Sequence, residues 1–382
     1  MEYRKLGRTG IQVSAVGMGC EGYEGKSLEE SLRILNTAIQ SGINFFDMYT
    51  SDPRARRHLG EALKGIPREC AVIQGHLCSA WKDGQYCRTR ELGEVKASFE
   101  SLLEDLGTQY VDVGMIHYSD ELEDFRNILE GEIFEYILVL REQGKIRSTG
   151  LSTHNPDVAL AAARSGKIDV ILFSINPAYD MLPPSDNIDV LFERESYDRV
   201  YRGIDPNRER LYQECQNAGV ALTVMKPFAG GLLLGDQSPF GKAMTPVQCI
   251  SYCLDRPAVA SVLGGMASPQ EVLEAAAACT ASAAQRDYSE VLSMAPRASF
   301  QGHCMYCGHC APCTVGISIA AVNKYLDLAQ AKGGVPETVQ DHYDLLEHHA
   351  GECVACGACM KNCPFGTDII AKMEQAARLF GK

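Results

Sequence analysis

Residues 43–60 read INFFDMYTSDPRARRHLG. An apolar run stops at Asp47, and a basic, helix-prone segment follows it. A short buried strand that ends in an acid and gives way to a helix is one βα unit, and a parallel barrel carries its chemistry at such strand ends. The pattern recurs along the chain at roughly 30-residue spacing, the length of such a unit. The apolar runs are VSAVGM (13–18), INFFD (43–47), AVIQG (71–75), VDVGMIH (111–117), IRSTGLS (146–152), VILFSI (170–175), ALTVMK (221–226) and AVASVLG (258–264). The helices between them carry end signals. Ser27 with Glu30 three residues on fits a capping box, Ser41-Gly42 closes that helix, and Ser268-Pro269 opens another. The fold class expected is α/β, a (β/α)8 TIM barrel over residues 1–285. A doubly wound open sheet is the competitor, but VGMGCEG after the first run lacks the third glycine of the dinucleotide fingerprint.

After residue 285 the strand alternation stops. Residues 286–382 are expected to form a second, mainly helical module, with a helix-prone segment near 318–349 between two cysteine runs. The chain has 382 residues, 46% hydrophobic and 22% charged, which suits a globular protein. No run of about 18 apolar residues argues for a membrane span. The N-terminus lacks the apolar stretch of a secretory signal, so a cytoplasmic location is expected. A net charge of −13 repels phosphate backbones and argues against nucleic acid as a partner.

Eight of the 16 cysteines lie in the two runs. CVACGACMKNCP places Cys353, Cys356, Cys359 and Cys363 at the spacing C-x2-C-x2-C-x3-C-P, that of bacterial two-cluster ferredoxins, where the fourth cysteine ligates the other cluster. CMYCGHCAPC supplies Cys304, Cys307, Cys310 and Cys313. The assignment expected is Cys304, Cys307, Cys310 and Cys363 on one [4Fe–4S] cluster and Cys353, Cys356, Cys359 and Cys313 on the other, both beside the barrel mouth. Structural zinc is the alternative, although its ligands usually come in two separated pairs.

The segments MEYRKLGRTGIQVSAVGMG, GINFFD, HLGEALKG, DVGMIHYSD, GKIRSTGLSTHN and MKPFAGG resemble the aldo-keto reductases, and the tail resembles the branch of that family carrying a C-terminal [4Fe–4S] ferredoxin-type domain. The resemblance implies a barrel that binds a nicotinamide at its C-terminal mouth and reduces carbonyls with an Asp–Tyr–Lys–His tetrad. Asp47 and His117 stand at the tetrad's aspartate and histidine. The lysine falls on His76 and the tyrosine on Asp52, so the acid and its activator are both replaced. An Asp47–His76 pair remains a candidate acid, because a carboxylate orients an imidazole and raises its pKa.

The resemblance also implies a cofactor site. Ser152 and Thr153 stand where a serine–asparagine pair holds the nicotinamide amide, and Asn176 where a further amide ligand follows the sixth strand. Gly265 and Ser268 lie where the phosphates would meet a helix N-terminus, and Lys226, ending the seventh strand, can pair with an anion. No lysine or arginine stands in the loop after the eighth strand to receive a 2′-phosphate, which leaves dependence on NAD(P)H open. The expected function is an oxidoreductase coupling a barrel site to two clusters, with a small carbonyl or hydroxy compound as substrate and a redox partner protein. The alternatives are a carbonyl reductase with structural clusters, a nicotinamide-independent lyase or epimerase using Asp47, His76 and His117, and an electron-transfer protein without catalysis.

Overall fold

The computed structural model describes residues 1–197, 201–293, 298–331 and 334–382. Eight strands close a parallel barrel in chain order: β1 (Val16–Gly19), β2 (Phe45–Met48), β3 (Val72–Leu77), β4 (Val111–Ile116), β5 (Ile146–Thr153), β6 (Val170–Ser174), β7 (Ala221–Met225) and β8 (Val259–Gly265). The ring closes where β8 pairs with β1, Val262 opposite Val16. Both faces of these strands are covered, which is why they read as continuous apolar runs without alternation.

The first apolar run divides between two elements. Gln12–Ser14 leaves the ring and pairs antiparallel with Tyr3–Lys5, and the barrel strand begins only at Val16. This hairpin plugs the N-terminal end of the barrel. Leu6, Ile11 and Val13 pack there with Phe45, Val72, Val113 and Val170. The opposite, C-terminal end is left open.

The outer helices are α1 (Leu28–Gln40), α2 (Pro53–Ala62), α3 (Leu92–Leu106), α4 (Leu122–Glu130), α5 (Glu132–Glu142), α6 (Pro156–Arg164), α7 (Pro206–Ala218), α8 (Pro246–Leu254) and α9 (Pro269–Ala276). The capping box of α1 forms as expected: Glu30 N–H donates to Ser27 Oγ, and Ser27 N–H to the Glu30 carboxylate. Ser31, Ile34, Leu35 and Ala38 make one buried stripe facing the strands. Between β3 and α3 the chain forms a β-hairpin, Ser79–Lys82 paired with Gln85–Arg88. Its turn residues Asp83 and Gly84 both have positive φ, 50° and 77°, as a tight two-residue hairpin turn requires.

The C-terminal segment contains α10 (Ile319–Ala331), α11 (Glu337–Asp344), α12 (Ala358–Asn362) and α13 (Ile369–Phe380). The helix-prone stretch near 318–349 is thus α10 and α11, apart from 332–333, which lie outside the described residues. Val322, Leu326, Tyr343, Met373 and Phe380 form a core of their own, with Tyr343 stacked on Phe380 at 4.0 Å. α10 packs on α7 of the barrel. Asn217 Nδ2, at the end of α7, donates to Leu328 O, and Arg256 Nη2, just before β8, donates to Met305 O at 2.7 Å.

These contacts correct the expected placement of the cysteines. The first run docks against the flank and the N-terminal ends of β7 and β8, not beside the open mouth. Among the described residues, no helix is long and apolar enough to cross a membrane.

Candidate active site

Asp47 lies on β2 directly opposite Gln74 of β3. Gln74 and His76, two apart on one strand, face the same way and so both reach its carboxylate. Gln74 Nε2 donates to Asp47 Oδ1 at 2.6 Å, and His76 Nε2 lies 3.0 Å from the same oxygen. The Gln74 carbonyl accepts from Thr223 Oγ1 across the barrel at 3.3 Å. His117 follows the last residue of β4, its N–H held by Leu77 O. Its Nδ1 lies 2.6 Å from His76 Nδ1, and its Nε2 lies 2.8 Å from the Tyr86 hydroxyl.

The result is one hydrogen-bonded chain, Asp47–His76–His117–Tyr86, running from the barrel interior to the mouth. Asp47, His76 and His117 are buried, while Tyr86 is 43% exposed. Burial, reinforced by the neighbouring His76, holds the His117 pKa well below the ordinary imidazole value, so this ring is neutral near pH 7.

The structure therefore brings Asp47, His76 and His117 together. Tyr86, the fourth member, is absent from the sequence-based candidates, although the turn in WKDGQY is a readable hairpin signal. The tyrosines closer in sequence are directed elsewhere. Tyr49 OH donates to Glu24, and Tyr118 packs edge-on to His154. Asp52, at the family tyrosine position, caps α2 by accepting from Arg54 N–H and pairs with the Arg54 guanidinium.

A second acid–imidazole pair sits on the neighbouring strand. Asp120 accepts from Thr153 Oγ1 and His154 N–H, and its other oxygen lies 3.0 Å from His154 Nδ1. Burial lowers the His154 pKa despite the Asp120 carboxylate beside it, which pulls the other way.

The six cofactor candidates do not converge. A cavity of about 580 Å3 at the mouth is lined by Lys226 and Gly265, together with Phe228, Gly230, Gly231 and Met266. Glu21, Glu271 and Glu274 also line it, so its charge is mostly acidic. The Lys226 ammonium lies 5.6 Å from the Phe192 ring centre, and burial lowers its pKa. Ser268 caps α9 by accepting from Glu271 N–H, and Glu271 returns to accept from Ala267 N–H. Two of the N–H groups that would meet a phosphate are thus already engaged. Thr153 is tied to Asp120. Asn176 donates to Lys226 O and accepts from Ala178 and Tyr179 N–H, which engages both ends of its amide within the chain. Ser152 is buried on β5, and its carbonyl accepts from Ser119 N–H.

The cysteines group into two recesses. One is lined by Cys304, Cys307, Cys310 and Cys363, the other by Cys313, Cys353, Cys356 and Cys359. Among the described residues, no group of three or more His, Cys, Asp or Glu is drawn together tightly enough for a single metal ion.

The profile of the Aldo/keto reductase family matches residues 15–248. An uncharacterized oxidoreductase of Bacillus subtilis (strain 168) is 26% identical over 298 residues, spanning 72% of this chain and 90% of its own. L-galactose dehydrogenase of Arabidopsis thaliana is 26% identical over 312 residues, 73% of this chain and 88% of its own. The NADH-specific methylglyoxal reductase of Escherichia coli (strain K12) is 22% identical over 343 residues, 76% of this chain and 97% of its own. Among solved structures, the holo form of an aldo-keto reductase from Bacillus halodurans superposes with a TM-score of 0.61 at 22% identity, covering 79% of this chain and 99% of that one. A closed parallel barrel with an acid–imidazole pair at its strand ends is an enzyme scaffold. The chain belongs to the aldo/keto reductase family and is an oxidoreductase.

Proposed function

We propose that the protein interconverts a small carbonyl compound and its alcohol at the barrel mouth, and that its C-terminal segment holds two [4Fe–4S] clusters serving a redox partner protein in the cytoplasm. The observation that carries the catalytic half is the Asp47–His76–His117 chain at adjacent strand ends. Asp47 accepts from His76 and orients its ring, and His76 meets His117, which is buried and neutral. A proton can thus be stored next to Asp47 and delivered toward the mouth without a lysine.

When bound, a reduced nicotinamide supplies the hydride that carbonyl reduction needs. Lys226 and Gly265 line the cavity that would receive it. Glu271 and Glu274 in that cavity disfavour a further phosphate, so NADH is expected over NADPH. The relative that reduces methylglyoxal makes 2-oxoaldehydes the first substrates to try.

For the clusters, the support is the donor set. Four thiols line each recess in the partition that the ferredoxin spacing implies, Cys304, Cys307, Cys310 and Cys363 apart from Cys313, Cys353, Cys356 and Cys359. Clusters so held would exchange single electrons. The relay itself needs no hydride, which favours a lyase or epimerase as the second reading.

Calorimetric titration with NADH and NADPH, followed by turnover of His76→Ala, tests the proposal. NADH binding and a loss of about a hundredfold or more in rate are expected. An unchanged rate rejects the site, and product formed without any nicotinamide selects the second reading.

A further inference from the structure

The aldo/keto reductase sequence has lost its tyrosine to Asp52 and its lysine to His76, yet the structure returns a tyrosine to the site from another element. We propose that Tyr86 is the catalytic residue that exchanges a proton with the substrate oxygen, as the outer end of a one-proton relay through His117 and His76 to Asp47. This rests on the carbonyl–alcohol reading above.

The donor and acceptor roles along the chain allow two arrangements. In both, the Asp47 carboxylate accepts His76 Nε2–H. In the charged arrangement His76 is an imidazolium, and its Nδ1–H donates to His117 Nδ1. His117 Nε2–H then donates to the Tyr86 oxygen, and the phenolic hydrogen is free to point into the mouth. In the neutral arrangement every hydrogen bond is reversed beyond His76: Tyr86 O–H donates to His117 Nε2, and His117 Nδ1–H donates to His76 Nδ1.

Reduction converts the first arrangement into the second. The Tyr86 O–H bond breaks as the hydrogen passes to the carbonyl oxygen. Tyr86 takes the hydrogen of His117 Nε2, and His117 Nδ1 takes that of His76 Nδ1. The carbonyl carbon gains a hydride, supplied by a reduced nicotinamide, and the former C=O electron pair ends in the new O–H bond. Water then restores one proton to His76. Alcohol oxidation is the reverse.

Tyr86 is a neutral phenol before and after, so no lysine is needed to stabilise a tyrosinate. That matters because burial raises the Tyr86 pKa, opposed by Arg88 and Arg90 and assisted by Tyr118 and Cys87. These four, with His117, are the charged and titratable groups facing it from its own hairpin, the segment after it and the end of β4. His117 suits the middle position, since its lowered pKa makes it pass a proton on without holding it. Trp81 stands opposite Tyr86 in the hairpin, so the two side chains share one face of it.

The test compares anaerobically purified wild-type enzyme with Tyr86→Phe, a conservative change at a half-exposed side chain. With NADH and methylglyoxal or a related carbonyl, Tyr86→Phe is expected to lose about a hundredfold or more in kcat with KM little changed. The wild-type rate should fall along a bowed curve as D2O replaces water, since several protons move together. Low-field proton resonances of the His76–His117 pair should shift in Tyr86→Phe and vanish in His76→Ala. Wild-type turnover in Tyr86→Phe, or a straight D2O dependence, overturns the proposal. If the wild-type enzyme turns over no carbonyl with either nicotinamide, the reductase reading has failed. The resonances then judge the relay alone, and their indifference to Tyr86→Phe overturns it.

Discussion

Asp52 and His76 change the family site in opposite ways. Asp52 withdraws to cap α2, while His76 takes up the inward position and joins Asp47 to His117. Both substitutions were readable in the sequence, but not their consequences, because an aspartate just before a proline serves equally as a helix cap and as an active-site acid. The buried imidazoles also make the protein sensitive to acid. His117 and His154 have pKa values lowered by burial, whereas in the unfolded chain they titrate near about 6.5. Below that pH the unfolded state binds protons that the folded state does not, so stability falls as pH falls. Each histidine contributes at most about 1.4 kcal/mol per pH unit. Urea unfolding at pH 7.5, 6.5 and 5.5 should show a midpoint that is stable above the unfolded value and declines below it. A profile flat across this range contradicts the neutral assignment.

Among the elements, helix starts were the most legible. Ser27 with Glu30 and Ser268 with Pro269 act in the structure as their residue types imply, since a cap is decided within four residues. Ser27→Ala is expected to cost about 1 kcal/mol, measured by chemical denaturation; no change would show that water replaces the cap fully. The Ser79–Arg88 hairpin is not among the elements expected from the sequence. Its Asp83-Gly84 turn is a local signal, but short flanking strands with polar residues give weak periodicity. That Tyr86 then meets His117, 31 residues away, is a matter of how the hairpin folds over the barrel end.

For the molecule as a whole, α10, α11 and α13 have a core of their own, while Phe300, Met305 and Phe365 join the barrel's core, and α10 packs on α7. If the cysteine recesses hold clusters, Cys307→Ser and Cys356→Ser should each lose one cluster's iron and acid-labile sulfide while keeping the other's. Metal analysis of anaerobically purified protein checks this, and zinc in place of iron would overturn it. The docking at the N-terminal ends of β7 and β8 puts the barrel between the first cysteine set and the open mouth. If the recesses hold clusters, electron exchange with a partner is therefore expected on a different face from the barrel mouth.

By itself the sequence determined the barrel, because eight apolar runs at the spacing of a βα unit have few ways to bury both faces. The ferredoxin-type spacing also anticipates which four cysteines line each recess. Only the tertiary structure decided which tyrosine reaches His117, where the C-terminal module docks, and which cofactor candidates stay available once Thr153, Asn176 and Ser268 have found partners inside the chain. Those outcomes depend on contacts between residues far apart along the chain, whose energies come from packing and hydrogen-bond geometry that no local pattern encodes.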